Sequence, residues 1–575
     1  MKLTKFYAVA ATAALALVGS FGMAGTALAD GEIQDPPAAV VANPALVDAT
    51  KKANLHITKY LGYPTGGVNN GTQQNIQGLP TLTGVNFDVY QVLVAEADGK
   101  TTPVDLTTNE GWELASKLKG ATVADVNQEF TAGGQKFKLD AKKTVTTDEN
   151  GLATLQNANL GVYYVVENLK DSENITSEGK AVDKAGLSGA ASFFVTLPMT
   201  NPDNETAWMY DVYVYPKNQN SGIEKEVLDA VKDTPNQDGY KVGENITFRI
   251  KSDITAVDAN VDGKVDGADI EYYAIWDDLQ KELEFQANPA PVLKIVKKDG
   301  KTEVPLVADT DYKQAVEGQK VSWSMTDAGL NKLAAADGGT VVTEFVVKVK
   351  SMPGNGVVKN TAKFYPNGNS LSKPTKPGET PPPPDEGVPS NETVTYYGKI
   401  VIEKYDPQNK QANVAGAVFH LYRDLNDNGK CEADEVAPDK SIMEATVAKN
   451  AETGKYEATF SGLHVSTYWN NTDKEGNKTA GHILAPSKYC VVETKAPDGY
   501  NLDAQPRPVE IDHATGTAQA APFTTLKVAN EESNLGNKLP LTGAAGVVII
   551  SLLGAALIGG GAVFYVRSPR RPKNA

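Results

Sequence analysis

The chain has 575 residues and a formal net charge of −16, a balance that repels phosphate backbones and excludes nucleic acid as a partner. It carries only five histidines and neither a His-Glu-x-x-His nor a Gly-x-Ser-x-Gly stretch. No nucleophile–base constellation is visible, so the reading is not an enzyme. At about 150 residues per domain, the length left after processing of both ends predicts three domains.

In chain order, Lys2 and Lys5 precede an apolar segment from Phe6 to Val18, and Ala27-Leu28-Ala29 offers a small-x-small cleavage site. Residues 1–29 therefore read as a secretory signal peptide. Residues 30–49 are rich in Ala, Pro and Asp without a period and read as a flexible leader. Beyond them the dominant signal is alternation, in Asn86–Val94, Val162–Val166, Ala191–Leu197 and Val212–Tyr215. It returns in Ile246–Ile250, Val341–Val349, Lys399–Lys404 and Ala417–Tyr422. Short β-branched and aromatic runs separated by Gly, Asn, Asp and Pro indicate an all-β chain of sandwiches or barrels. Helical pattern is confined to Gly111–Leu118 and Thr326–Ala335. A Pro-rich stretch from Lys373 to Asp385 cannot build a core and reads as an extended linker. The expected domains are thus 50–219, 220–370 and 391–535, with a linker at 371–390. Residues 536–575 hold Leu539-Pro540-Leu541-Thr542-Gly543, an apolar run over 544–566 long enough to span a bilayer, and a tail with Arg567, Arg570, Arg571 and Lys573. Positive charge stays inside, which places everything before Leu539 outside the cell.

That order of motif, span and basic tail resembles the cell-wall sorting signal of Gram-positive bacteria. The resemblance implies that a sortase cysteine cuts between Thr542 and Gly543 and passes the Thr542 acyl group to an amine. A second segment, Trp208-Met-Tyr-Asp-Val212-Tyr-Val214-Tyr215-Pro216-Lys217, resembles the pilin motif WxxxVxVYPK at every specified position. It implies that the Lys217 amine of one subunit attacks the acyl-enzyme on Thr542 of another. Alternation along Val212 and Val214 makes a strand, and Pro216, lacking an N–H, ends its ladder. A free lysine has a pKa near ~10.4, so desolvation or a base from the sortase must supply the neutral amine.

The third domain resembles the Cna-B modules, immunoglobulin-like sandwiches, through Ile402-Glu-Lys404, Val414–Tyr422, Tyr489-Cys-Val-Val-Glu493-Thr-Lys-Ala-Pro497-Asp-Gly499-Tyr500 and Val528-Ala-Asn530. That family implies an intramolecular isopeptide bond from Lys404 to Asn530, assisted by Glu493. The middle domain is similar to Cna-A modules, where an Asp replaces the Glu. Lys225, Asp253 and Asn360 are the expected trio, with Asn367 competing for the place of Asn360. In the first domain Gly161–Glu167 echoes the spacing of the Glu493 segment, so Lys59, Glu167 and Asn218 form the corresponding trio. The expected fold is three tandem immunoglobulin-like sandwiches of Cna-A or Cna-B type.

The two cysteines, Cys431 and Cys490, are expected to pair as a disulfide in an exported chain. Asp424, Asn426, Asn428, Gly429 and Glu435 satisfy the EF-hand loop spacing, and Asp258, Asn260, Asp262, Gly263 and Asp269 keep it with Asp in place of Glu. Oxygens in these patterns suit a structural Ca²⁺. Taken together the chain is similar to the shaft subunits of actinobacterial, sortase-assembled pili. The resemblance implies identical subunits, pilus-class and housekeeping sortases, tip pilins, peptidoglycan and host receptors as partners, with the fibre fixed to the cell wall. The alternative is a wall-anchored monomeric adhesin of collagen-binding type, which would share the sorting signal but not need Trp208–Lys217.

Overall fold

The computed structural model describes residues 46–533 except 63–68, 97–98, 122, 124, 229–240, 259–263, 369–374, 382–386, 427, 470–481, 484–486, 504, 513–514 and 518. The signal peptide, most of the leader and the whole sorting segment, including Leu539–Gly543, lie outside these residues. Strands dominate, and every stretch of alternation singled out above lies within or overlaps one.

In the first module the strand Ala53–Thr58 buries Ala53, Leu55 and Ile57 and shows Asn54, His56 and Thr58 to the outside. It pairs parallel with Asp211–Val214 and antiparallel with Leu152–Ala158. The facing sheet runs in the order Phe193–Leu197, Gly161–Asn168, Asn86–Ala95, Gln135–Leu139, Phe130–Ala132. Leu55, Ile57, Phe87, Val89, Val165, Leu197 and Val212 fill the space between the sheets. The opposite face of the second sheet is also apolar, through Tyr90, Val92, Val162, Tyr164 and Phe194. It is covered by the helix Asn109–Lys117, which Thr108 caps by accepting the Gly111 N–H. A sheet buried on both faces explains why period-two alternation there is incomplete.

The middle module sets a six-stranded sheet, built on Ile223–Val227, Asn245–Asp253 and Thr340–Val349, against a five-stranded one, built on Lys320–Met325, Ala274–Asp278 and Ala362–Tyr365. Phe248, Ile275, Trp323 and Phe345 occupy its core. The helix expected over Thr326–Ala335 is present as Asp327–Ala334, with Thr326 as its N-cap. The expected linker is corrected here. Gly378 donates its N–H to the Met325 carbonyl, and Tyr272 donates its hydroxyl to the Glu379 carbonyl. Val388–Pro389 joins the edge of the five-stranded sheet, and Asn360 pairs with Thr393. Proline denies this segment ladder donors, yet its carbonyls and glycine N–H groups remain free to bond, so the described parts dock instead of spanning open solvent. The middle module therefore reaches Tyr397, which is buried in its core, beyond the expected end at residue 370.

In the third module Lys399–Tyr405 runs parallel to Phe523–Ala529. A second sheet holds Met443–Thr446, Val418–Arg423, Lys488–Lys495 and Arg507–Glu510 in that order. Ile400, Ile402, Phe419, Leu421, Phe460 and Val491 are fully or almost fully buried. Cys431 and Cys490 form a disulfide across 59 residues of sequence, as expected.

Candidate cross-linking sites

Among the described residues three lysines lie in the module cores: Lys59 and Lys225 are 0% exposed and Lys404 is 2% exposed. Each sits where strand alternation turns its side chain inward, and each packs over a core phenylalanine ring, Phe87, Phe248 and Phe419 respectively. Burial pushes all three amines below the usual lysine range, against the opposing pull of an adjacent carboxylate.

In the third module the structure brings the expected trio together. The Lys404 amine lies 2.9 Å from Glu493 Oε1 and contacts Asn530 Oδ1. Asn530 Nδ2 donates to both Glu493 oxygens at 3.2 and 3.3 Å, and to the Asn501 carbonyl at 2.9 Å. Register explains the meeting. Lys404 pairs with Val528, and Asn530 follows two residues later on the same face.

The first module repeats the geometry. Lys59 Nζ donates to Glu167 Oε2 at 2.9 Å and to Asn218 Oδ1 at 2.5 Å, while Asn218 Nδ2 donates to Glu167 Oε1 at 2.7 Å. The Ala190 N–H holds Glu167 from outside the trio at 2.5 Å. The carboxylate thus bridges the amine and the amide nitrogen that would leave.

In the middle module one expected member is wrong. The acid against the Lys225 amine is Asp277, not Asp253. Asp253 sits at the end of its strand, where its carboxylate accepts the Gly222 N–H at 3.0 Å. Asp277 is 0% exposed, and burial raises its pKa in spite of the Lys225 cation. Asn360 is buried beside it and stabilises its charged form, although neither amide atom of Asn360 makes a hydrogen bond of ordinary geometry. Asn367, the competitor, reaches instead toward the Leu187 carbonyl at 3.4 Å. A signal for Asp277 did exist. In Ala274–Asp278 the inward positions are Ile275 and Asp277, and a carboxylate on the inward face of a core strand calls for a partner.

Lys217 occupies the outward position immediately before Asn218. It pairs with Tyr60 as Asn218 pairs with Leu61. Its amine is half-buried and donates to the Tyr215 carbonyl at 3.2 Å, and burial lowers its pKa. The rest of its motif is structural support. Val212 and Val214 face the core. The Tyr215 hydroxyl accepts the Gln74 N–H at 2.5 Å and donates to the Thr72 carbonyl at 3.3 Å. Trp208 stacks on Trp112 with ring centroids 5.2 Å apart, tying the motif to the helix Asn109–Lys117.

Of the acidic loops, 424–435 is wound on itself. Asp424 accepts the Asn428 and Gly429 N–H groups, Asn426 accepts Asn428, and Asn428 accepts Lys430. Glu435 folds back to accept Leu425 and Glu432, and burial raises its pKa. In the other loop Asn260 and Asp262 lie outside the described residues. Asp269 there belongs to a capping box, its carboxylate accepting the Asp266 N–H at 2.8 Å. Among the described residues no three His, Cys, Asp or Glu side chains gather as ligands.

Comparison with known proteins bears on the family and the fold. Residues 50–219 match the family model for the N-terminal D1 domain of Gram-positive pilin subunits, and 398–522 match a prealbumin-like fold domain. The chain is 31% identical over 581 residues to the fimbrial subunit type 1 of Actinomyces viscosus, covering 97% of this chain and 96% of that one. It is 28% identical over 554 residues to the fimbrial subunit type 2 of Actinomyces naeslundii, covering 93% of each. Among solved structures, the full-length major pilin SpaD of Corynebacterium diphtheriae superposes with a TM-score of 0.54 at 25% identity, over 85% of this chain and 99% of that one.

Proposed function

The chain belongs to the fimbrial subunits of Gram-positive bacteria, the pilins, and from that membership we propose the chemistry by which its copies join and hold. It is a backbone subunit of a surface pilus and not an enzyme; copies of it polymerise. In the proposed polymerisation a pilus-class sortase holds the Thr542 acyl group of one subunit as a thioester. The Lys217 amine of the next subunit attacks that carbonyl, the sortase thiolate leaves, and an amide joins Lys217 to Thr542. The observation that carries this reading is the position of Lys217, accessible and partly desolvated beside an anchored Asn218. A housekeeping sortase then passes the last Thr542 to peptidoglycan, tip pilins end the fibre, and the shaft supports adhesion to host surfaces.

Within each subunit the buried trios would form Lys59–Asn218, Lys225–Asn360 and Lys404–Asn530 amides. Moving the proton from lysine to the carboxylate leaves a neutral amine and a neutral acid, the state that burial favours. The amine attacks the Asn carbonyl, the carbon–Nδ2 bond breaks, and Glu167, Asp277 or Glu493 delivers a proton to nitrogen as ammonia departs. The loop 424–435 is proposed to take a Ca²⁺, since Asp424, Asn426, Asn428 and Glu435 supply oxygen ligands at the spacing such a loop uses and a cation would offset the buried Asp424 and Glu435 carboxylates.

Peptide mass spectrometry of purified surface fibres tests the main reading. A Lys217 peptide joined to a peptide ending at Thr542 is the expected product. A Lys217→Ala strain that still yields an SDS-resistant ladder would overturn it.

A further inference from the structure

The segment Ser390–Thr393 touches both reactants of the middle site, although it lies far from Lys225 in sequence. Asn391 closes on the Lys225 peptide from both sides: its Oδ1 accepts the Lys225 N–H at 2.7 Å, and its Nδ2 donates to the Lys225 carbonyl at 2.9 Å. Lys225 is on the edge strand of its sheet, so this side-chain amide stands in for a missing ladder partner. Two residues on, Thr393 pairs with Asn360, and its hydroxyl donates to the Asn360 carbonyl at 3.2 Å. Ser390 secures the segment by exchanging bonds with Ala362 at 2.8 and 2.9 Å. Glu392 lines, with Asn360, Trp276 and Lys359, an open cleft of about 250 Å³ beside the segment.

We propose that Ser390–Thr393 is the positioning clamp of the Lys225–Asn360 cross-link, with Asn391 its principal residue. The inference rests on the isopeptide reading of this site. One end of the clamp fixes the strand carrying the amine, and the other fixes the strand carrying the amide. The reaction itself needs only the exchange already described: the Lys225 nitrogen bonds to the Asn360 side-chain carbon, ammonia leaves, and Asp277 moves the proton. What the clamp adds is closeness, which small displacements erode steeply. A consequence follows for order. The middle cross-link forms only after the chain beyond the Pro-rich segment has docked, so its closure marks a module complete through Tyr397.

The test follows pulse-labelled mature chains after synthesis is stopped, quantifying Lys225–Asn360 and Lys404–Asn530 peptides by mass spectrometry. In the parent both close. Asn391→Ala is expected to slow the Lys225–Asn360 bond at least tenfold while Lys404–Asn530 closes at the parent rate. Asn391→Asp, which keeps the acceptor for the Lys225 N–H, is expected to recover part of the loss. An N391A chain that closes the middle bond at the parent rate overturns the proposal. So does loss of the middle module's protease resistance when N391A is placed in a bond-free Asp277→Ala chain, because the residue would then be needed for the fold itself. A parent chain without any Lys225–Asn360 peptide would instead bring down the isopeptide reading of the site.

Discussion

Removing Asn530 isolates what a covalent link contributes to the third module. Asn530→Ala deletes the acyl group but leaves the Lys404–Glu493 ion pair at 2.9 Å, so no buried charge is stranded. The Lys404–Asn530 link would close a loop of 126 residues. The Cys431–Cys490 disulfide already bypasses 59 of these, leaving an effective loop of about 67 residues. On the chain-entropy account such a closure stabilises by about 4 kcal/mol, against about 5 kcal/mol for the whole loop. Loss of the Asn530 bond to the Asn501 carbonyl adds about 1 kcal/mol. For a module of roughly 130 residues, about 5 kcal/mol lowers the melting temperature by something near 15–20 °C. Differential scanning calorimetry of the mature chain, with intact mass measured on the same samples, makes the comparison. The parent mass should lack one more ammonia than expected for a chain whose third module is unlinked, and the variant should melt lower in one transition only. A variant whose third transition moves by less than about 4 °C, beside a parent with the mass deficit, would refute the loop argument. After reduction of the disulfide the gap should widen by only about 0.5–1 kcal/mol, since loop entropy grows logarithmically.

The remaining predictions are shorter. Relative to the mass calculated from each variant's own sequence, Asp277→Ala should show a deficit smaller than the parent's by one ammonia, whereas Asp253→Ala should keep the parent's deficit; the opposite pattern would restore Asp253 as the acid. Lys217 is lowered by burial, so its neutral fraction at a given pH exceeds that of a free lysine. NMR titration of labelled lysines should therefore place it below ~10.4, and a folded base with a depressed pKa makes the fold gain stability as pH rises through that value. A normal titration midpoint would leave activation wholly to the sortase. Ca²⁺ should protect the loop 424–435 from protease, and Glu435→Gln should abolish the protection; cleavage indifferent to chelator would remove the metal from that loop.

Much of the site was legible because its residues announce themselves locally. Lys404 and Glu493 stand on strands, Asn530 directly follows one, and Lys217 comes just after the proline that closes the Asp211–Val214 strand. Asp253 misled because sequence places an acid at the end of a clear strand without saying which way that strand's end faces. Asp277 was hidden by its neighbours, Trp276 and Asp278, which obscure a two-residue period. The Pro-rich segment looked like a linker because composition reports missing donors, not available acceptors such as the Glu379 carbonyl taken by Tyr272.

The sequence by itself determined an all-β chain, the disulfide, the two longer helices Asn109–Lys117 and Asp327–Ala334 but not the short one at Gly267–Ile270, and two kinds of lysine, one outward beside Pro216 and others facing the cores. Such features depend on residues close together along the chain, where period, caps and proline act directly. Tertiary structure alone decided that Asp277 meets Lys225, that Asn391 grips the Lys225 peptide across 166 residues, and that the middle module extends through Tyr397. Those outcomes depend on strand register and on which sheet edge a distant segment joins, and neither is written into any local window.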